Sequence, residues 1–169
     1  MKQFFLFVAL VFVFSCSGGN KKQADTAVAF EVEALLAVAD QNVDSTVTVV
    51  GIVTHTCKHS GKRCFIESES QTVSLRVEID PEGEIDMFTP ELIGSKLAIT
   101  GILKEEHWSE EFIDERENNV KQMEQEGASH EACAAELSNI SDMRKWMEEN
   151  GKDYYVFYYL DGLKYEVVE

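Results

Sequence analysis

The sequence predicts a small, mainly β barrel that carries a helical insertion between its fourth and fifth strands. Runs rich in β-branched residues alternate apolar and polar positions, most clearly over residues 72–79, as strands with one buried face do. Gly51 and Gly101 interrupt two of these runs, and a glycine inside a strand often marks the bend that a small barrel needs to close. Over residues 109–150 the apolar period becomes helical. At 169 residues and 44% hydrophobic content, the chain is long enough for one such domain.

Residues 1–15 are predicted to be a lipoprotein signal peptide. Lys2 is followed by an apolar run over residues 4–14 that is too short to span a bilayer. Ser15 stands directly before Cys16, and this ending resembles the lipobox of bacterial lipoproteins, whose cysteine is acylated. The resemblance implies a palmitate-type anchor on Cys16 and a place in the cell envelope. Ser17 is not the aspartate that retains some lipoproteins at the inner membrane, which favours the outer membrane.

The folded domain is predicted to span residues 28–169, after a small, polar and flexible tether over residues 16–27. An apolar-rich segment at its start predicts a short helix over residues 28–39, which ends near residues 40–42 and plugs one end of the barrel. The predicted strands cover residues 45–56, 63–68, 72–79, 96–103, 154–160 and 163–168. A tight turn at Asp161-Gly162 is predicted to join the last two strands, which together supply the fifth strand of the barrel.

Two helices are predicted within the insertion, over residues 109–126 and 129–150. Gly127 lies between them, and Gly151 stands where a C-terminal helix cap is expected. A short helical segment near residues 90–93 precedes the fourth strand. Strand, strand, strand, short helix, strand and strand is the order of an OB-fold barrel.

Two phrases, VDSTVTVVGIVTH and SKLAITGILKE, resemble the OB-fold lipoproteins of Gram-negative envelopes. The resemblance covers residues 43–105 and the final strand. It implies a small, acidic barrel tethered to a membrane, of a kind that mostly has no assigned activity. The formal net charge of −16 agrees with such a surface and argues against nucleic acid as a partner, because phosphates would be repelled.

The most informative motif is the segment CKHSGKRC at the tip of the first predicted hairpin. A two-residue turn at Ser60-Gly61 would place Cys57 directly opposite Cys64, with His55 and His59 on the face of Cys57. Directly opposed cysteines come within disulfide range, and an oxidising compartment favours the bond. With Cys16 acylated, a disulfide between Cys57 and Cys64 would leave one further thiol unpaired.

The alternative is that the cysteines bind a metal. In OB-folds the loops between strands one and two and between strands four and five flank the usual binding face. The helical insertion in the second of these loops carries His130 and Cys133, three residues apart. Together with Cys57 and Cys64 they make a Cys3His set, which suits tetrahedral zinc, with His55 and His59 in reserve. Against this, Cys133 fits an apolar helix stripe, and His130 fits a first helical turn capped by Ser129.

No catalytic constellation is recognised, so the sequence predicts a non-enzymatic envelope lipoprotein that acts as a binding module. Its predicted ligand is a metal or metallo-cofactor, zinc above all, held by the cysteines and histidines. The alternative is a disulfide-stapled module that docks an envelope protein or a glycan. The aromatic run over residues 154–159 either stacks on such a ligand or divides its rings between core and surface.

Overall fold

The computed structural model describes residues 29–70 and 73–168. The predicted signal peptide, the predicted acylation site Cys16 and the predicted tether therefore lie outside the described residues. No helix in the described ranges is both long and apolar enough to cross a membrane.

Five strands close into a barrel, and a sixth, short strand pairs with one of them. The strands are β1 (Ala29–Glu31), β2 (Thr46–Thr56), β3 (Arg63–Glu67), β4 (Ser74–Ile79), β5 (Lys96–Ser109) and β6 (Tyr154–Val168). The barrel order is β2-β3-β4-β6-β5, and pairing between β2 and β5 closes it. β4 and β6 run parallel, whereas the other barrel neighbours are antiparallel. The predicted mainly β fold with a helical insertion is confirmed, and the barrel is consistent with an OB-like architecture.

Alternating strand residues fill the barrel interior. One side chain in two along β2, β4 and β5 is buried, which is the period expected of strands with one face inward. Helix α1 (Val32–Leu36) closes one end of the barrel, with Val32 and Leu35 fully buried. The predicted plug is therefore present but shorter than expected, because the residues before it form β1 and Ala39–Gln41 form a separate 3-10 turn.

Both strand glycines lie where neighbouring chain approaches too closely for a side chain. A Cβ on Gly51 would stand 2.9 Å from the carbonyl oxygen of Glu67. A Cβ on Gly101 would overlap the carbonyl of Asp161 and stand 2.8 Å from Cγ of Leu160. The register of β5 against β6 also shifts immediately before Gly101, as the bulge prediction requires.

The last strand corrects a prediction. Asp161 and Gly162 do not turn, because β6 continues unbroken through them and both pair with β5. Gly162 is buried, and a Cβ there would stand 3.0 Å from Cγ1 of Val77. The glycine is thus needed for close packing against β4 and not for a change of chain direction.

The insertion consists of α2 (Glu110–Gln125) and α3 (His130–Asn150), between β5 and β6. Ser109 and Ser129 cap the two helices by accepting backbone N–H bonds, and Gly151 ends α3 in the left-handed conformation at φ 60°. β5 runs six residues further than predicted and pairs with the start of β6. This two-stranded ribbon carries the helices. A second core fills the space between ribbon and helices, with the buried residues Trp108, Ile113, Val120, Cys133, Ile140 and Met147.

Candidate functional site

The register of the β2–β3 hairpin differs from the prediction by one residue. Thr56 pairs with Cys64, and the N–H of Cys57 donates to the carbonyl of Arg63 at 2.9 Å. The cause is the connection between the strands: the predicted two-residue turn at Ser60-Gly61 does not form, and residues 57–62 make a wider loop in which the Gly61 N–H donates to the carbonyl of Cys57 at 2.8 Å. A separate register shift between Val53 and His55 leaves two successive outward-facing residues on β2. Because side chains alternate along a strand, a shift of one residue moves a side chain to the other face. Cys57 therefore lies beside Arg63, and Cys64 points into the barrel.

The two cysteines consequently have opposite environments. Cys64 is fully buried in the barrel core, and this burial raises the pKa of its thiol to about 12. Cys57 is partly exposed, and its sulfur accepts a hydrogen bond from the Ser60 hydroxyl at 3.4 Å. That bond and the backbone N–H groups of Ser60 and His59 lower the pKa of Cys57. Both cysteines are free, as is Cys133, so the disulfide predicted between Cys57 and Cys64 is absent.

The helical members of the predicted metal set lie apart from each other. Cys133 is buried in the core between the two helices, with 4% of its surface exposed. The side chain of His130 is 88% exposed, and its Nδ1 lies 2.5 Å from a carboxylate oxygen of Glu124. One group therefore faces the interior of the hairpin and the other faces solvent, although three residues separate them.

The two loops that were expected to close over a metal lie at opposite ends of β4. The loop over residues 57–62 adjoins the Ile79 end, where the Ile79 N–H donates to the carbonyl of Lys62 at 3.1 Å. The helical hairpin lies at the Ser74 end, about 17 Å away at the usual rise of a strand. Across the described ranges, no group of three or more His, Cys, Asp or Glu residues is arranged to hold a metal ion. Cys57, Cys64, His130 and Cys133 are thus not brought together.

The reserve histidines also remain on the surface. His55 is exposed on the outer face of β2, and its ring lies 5.9 Å from that of Phe65 on β3. His59 is exposed in the loop beyond Cys57. Neither lies on the inward face that holds Cys64.

The outer face of the barrel instead carries a row of aromatic rings around one cation. The Arg76 guanidinium lies 4.6 Å from the ring centre of Phe157 and 4.8 Å from that of Tyr159. Its nitrogens also approach the carboxylates of Glu78 at 3.0 Å and Glu106 at 3.1 Å. The positive charge is therefore shared between two ring faces and two carboxylates, which holds this part of the sheet in one geometry.

This row leads into a groove between the sheet and helix α3, called here the hairpin groove. Its floor is formed by Trp108, Tyr155 and Phe157, and the indole of Trp108 stacks on Phe157 at 4.7 Å and 4°. Trp146 on α3 stands at 77° to the Tyr155 ring and forms part of the wall. The groove has a volume of about 600 Å³, which lies within the range of small-molecule binding sites.

Polar side chains of α2 and α3 line part of the hairpin groove. Arg116 donates to Glu136 at 2.6 Å, so these two charges neutralise each other. Asn139 and Asp142 follow on the same side of α3, and Asp142 has no ion pair or hydrogen bond with the described residues. Nε1 of Trp108 is buried and donates to no acceptor in the described part of the chain. Because that nitrogen is buried, a ligand in the groove cannot reach it. The groove therefore combines aromatic side chains with the exposed carboxylate of Asp142 and with the amide of Asn139, whose Nδ2 already donates to Glu136 at 3.4 Å.

Sequence reasoning identified only part of this groove. The aromatic run on β6 was noticed, and its rings alternate as predicted, with Tyr155, Phe157 and Tyr159 outward while Tyr158 packs on the barrel core. Trp108 was missed because charged residues precede it and hide the extension of β5. The period-two continuation of β5 through residues 104–109 was the signal that could have revealed it.

No protein-family model matches this sequence, and no curated protein matches it either.

Proposed function

We propose that this protein is a non-enzymatic, lipid-anchored binding module of the cell envelope, and that its ligand binds in the hairpin groove. The hairpin groove carries the proposal, because it joins aromatic side chains to the carboxylate of Asp142, which has no partner among the described residues, within one cleft of about 600 Å³. Its position also supports the proposal. OB-folds bind ligands on a face bordered by the loop between their fourth and fifth strands, and here that loop is the helical hairpin.

The anchor is proposed from the signal-like segment and Cys16. A protein tethered through Cys16 would hold the groove near a membrane. The matching test is partition of the full chain between detergent and water phases. We expect the unaltered protein in the detergent phase and Cys16→Ala in the aqueous phase, and an aqueous unaltered protein would contradict the anchor.

The groove is tested by site-specific photo-crosslinking in cells with the full, processed chain. A photoreactive amino acid replaces Asn139, which lines the groove, or Ser138, which is exposed on the same helix but does not line it. We expect an adduct of higher mass from position 139 and none from position 138. No adduct at either position, or equal adducts at both, would refute the groove as the binding site.

A further inference from the structure

We infer that the helical insertion docks a cationic, amphipathic helix of a partner protein, because an apolar cleft and an unpaired acidic rim lie side by side on one face of its helices. The inference rests on the function proposed above, since this cleft continues the hairpin groove. The cleft, called here the tip groove, lies between α2 and α3 near the turn that joins them and has a volume of about 340 Å³. Its apolar lining consists of Val120, Met123, Ala128, Ala132 and Cys133.

The tip groove and the hairpin groove form one channel. Arg116 and Glu136 line both grooves, so the two grooves meet at this ion pair. The α3 wall is continuous, because its lining residues are spaced alternately four and three apart and therefore share one helix face. They are Ala132, Glu136, Asn139, Met143 and Trp146. This stretch is about 21 Å long at the usual helical rise, which is the length of about four helical turns. A channel of this length fits a segment of polypeptide better than a small molecule.

The apolar side chains of the tip groove are accessible to a partner. Met123 is 55% exposed and Ala132 is exposed as well, beside the nearly buried Val120 and Cys133. A methionine side chain adapts its shape to the surface that it meets. An apolar groove between two helices is a common docking site for the apolar face of a third helix.

Three acidic side chains border the channel on its solvent side. Asp142 lines the hairpin groove, and Glu131 lies about three helical turns before it on the same side of α3. Glu115 lies four residues before Asn119, which lines the tip groove, so these two residues share one side of α2. The three carboxylates are exposed, and none of them has an ion pair with the described residues.

The charge that remains unpaired on the insertion is negative. Residues 110–150 include twelve acidic and four basic residues, which gives a net charge of −8, half of the −16 of the whole chain. Each of the four basic side chains is already paired with an acid of the insertion: Arg116 with Glu136, Lys121 with Glu117, Arg144 with Asp114 and Glu117, and Lys145 with Glu149. The rim therefore attracts lysine and arginine side chains, and it repels both lipid phosphates and a second copy of the insertion.

Binding is measured by fluorescence anisotropy of a labelled peptide, LKKLLKLLKKLLKL, whose helix has one apolar and one basic face. The protein is the processed chain carrying Cys16→Ser. We expect saturable binding with a dissociation constant of about 10 μM in about 50 mM sodium chloride, and binding about tenfold weaker in about 0.5 M salt. In one control peptide serine replaces every leucine, and in the other glutamate replaces every lysine. We expect neither control to bind at concentrations up to about 200 μM.

A pair of methionine variants tests the apolar part of the channel. Met123→Ser removes the exposed methionine of the tip groove, whereas Met87→Ser removes a methionine that is 51% exposed on the barrel. We expect Met123→Ser to weaken peptide binding about tenfold and Met87→Ser to leave the dissociation constant within about twofold. Equal effects of the two variants would overturn the assignment to the channel.

A pair of charge variants tests the rim. Glu115→Gln combined with Glu131→Gln removes two carboxylates beside the channel, whereas Glu82→Gln combined with Glu84→Gln removes two exposed carboxylates of the barrel. Both variants change the net charge equally. We expect only the first to weaken binding, by about tenfold, and equal weakening by both would mean that the peptide responds to net charge alone. That result would also overturn the inference.

The remaining outcomes separate this inference from the proposed function. If the basic amphipathic peptide does not bind, or if its serine control binds equally well, the cationic helix is refuted. A dimer in sedimentation that Met123→Ser dissociates would assign the tip groove to a second copy and would refute it as well. The crosslinking at position 139 then decides the hairpin groove on its own. An adduct there without peptide binding would keep the groove and exclude this partner, whereas no adduct would refute the groove and the inference that rests on it.

Discussion

The placement of Cys57 and Cys64 on opposite faces of the hairpin predicts a large difference in their alkylation rates. Only the thiolate reacts, so the rate follows the ionised fraction. At pH 8 a thiol with a pKa of about 12 is ionised to roughly 10⁻⁴, as burial implies for Cys64. The pKa of Cys57 lies below the ordinary value of 9.0, so more than about 10⁻¹ of it is thiolate. Ionisation alone therefore favours Cys57 by roughly 10³.

Access replaces ionisation as the limiting factor for Cys64. Its side chain has no exposed surface, so a reagent reaches it only after local opening of the barrel. In the opened form the thiol is solvated and burial no longer raises its pKa, so the cost of opening replaces the ionisation factor and is not multiplied by it. An opening free energy of about 4 kcal/mol, which is below the usual stability of a whole domain, corresponds to roughly 10³. The expected ratio is therefore about 10³.

The assay is timed alkylation with iodoacetamide at pH 8, followed by mass measurement of the cysteine-containing peptides. The protein is the processed chain with Cys16→Ser, purified without reductant, so that three thiols remain. We expect Cys57 to react first, Cys133 more slowly because it is buried between the helices, and Cys64 last. In denaturant all three should react alike, which controls for sequence effects.

Two results would refute this reasoning. A ratio of less than tenfold between Cys57 and Cys64 would mean that Cys64 does not lie in the barrel core. A protein two hydrogens lighter than expected, with Cys57 and Cys64 both unreactive, would show that they are joined. The register described for β2 and β3 would then be wrong, since that register places the two side chains on opposite faces.

Three further predictions concern stability. Gly101→Ala should lower the free energy of unfolding, measured by urea denaturation, by about 3 kcal/mol, because the new methyl group overlaps the backbone of β6. An unchanged denaturation midpoint would contradict the close approach of β6 to Gly101. Arg76→Gln should cost about 2 kcal/mol in the same assay, since the partly buried Glu78 and the exposed Glu106 lose a common partner and two aromatic rings lose the cation over them. A stabilised variant would show that this charge cluster is unfavourable. Hydrogen bonds from Lys121 and Arg144 lower the pKa of Glu117 in the folded state. The stabilisation from this ionised carboxylate is therefore present above the unfolded pKa and is lost as pH falls through the folded pKa. Glu117→Gln should accordingly reduce the dependence of the melting temperature on acid pH. A pH profile identical to that of the unaltered protein would exclude this contribution.

Local sequence signals predicted most of the architecture. Period-two alternation located the barrel strands, and Ser109, Ser129 and Gly151 located the ends of the helices, because alternation and capping depend on residues only a few positions apart. Of the two strand glycines, Gly101 coincides with a bulge as predicted, whereas the pairing of β2 with β5 continues in register through Gly51. The signal-like segment before Cys16 remains a prediction about residues outside the described ranges.

Predictions that depended on pairing between residues distant in sequence were less accurate. The predicted hairpin register was wrong by one residue because a wider loop over residues 57–62 replaces the predicted two-residue turn, and Ser60-Gly61 gives the same composition signal in either kind of loop. The predicted turn at Asp161-Gly162 was wrong because the glycine is required for close packing against Val77, and a glycine required for packing cannot be told by composition from one required for a turn.

By itself, the sequence determined a small acidic barrel with a helical insertion and a short list of reactive side chains. Only the tertiary structure decided which of them meet. It separated Cys57, Cys64, His130 and Cys133 onto two ends and two faces of the fold. It also brought Trp108 and Trp146, 38 residues apart along the chain, to one groove. A binding site is formed by distances through space, and strand pairing and helix packing set those distances after local preferences have been satisfied.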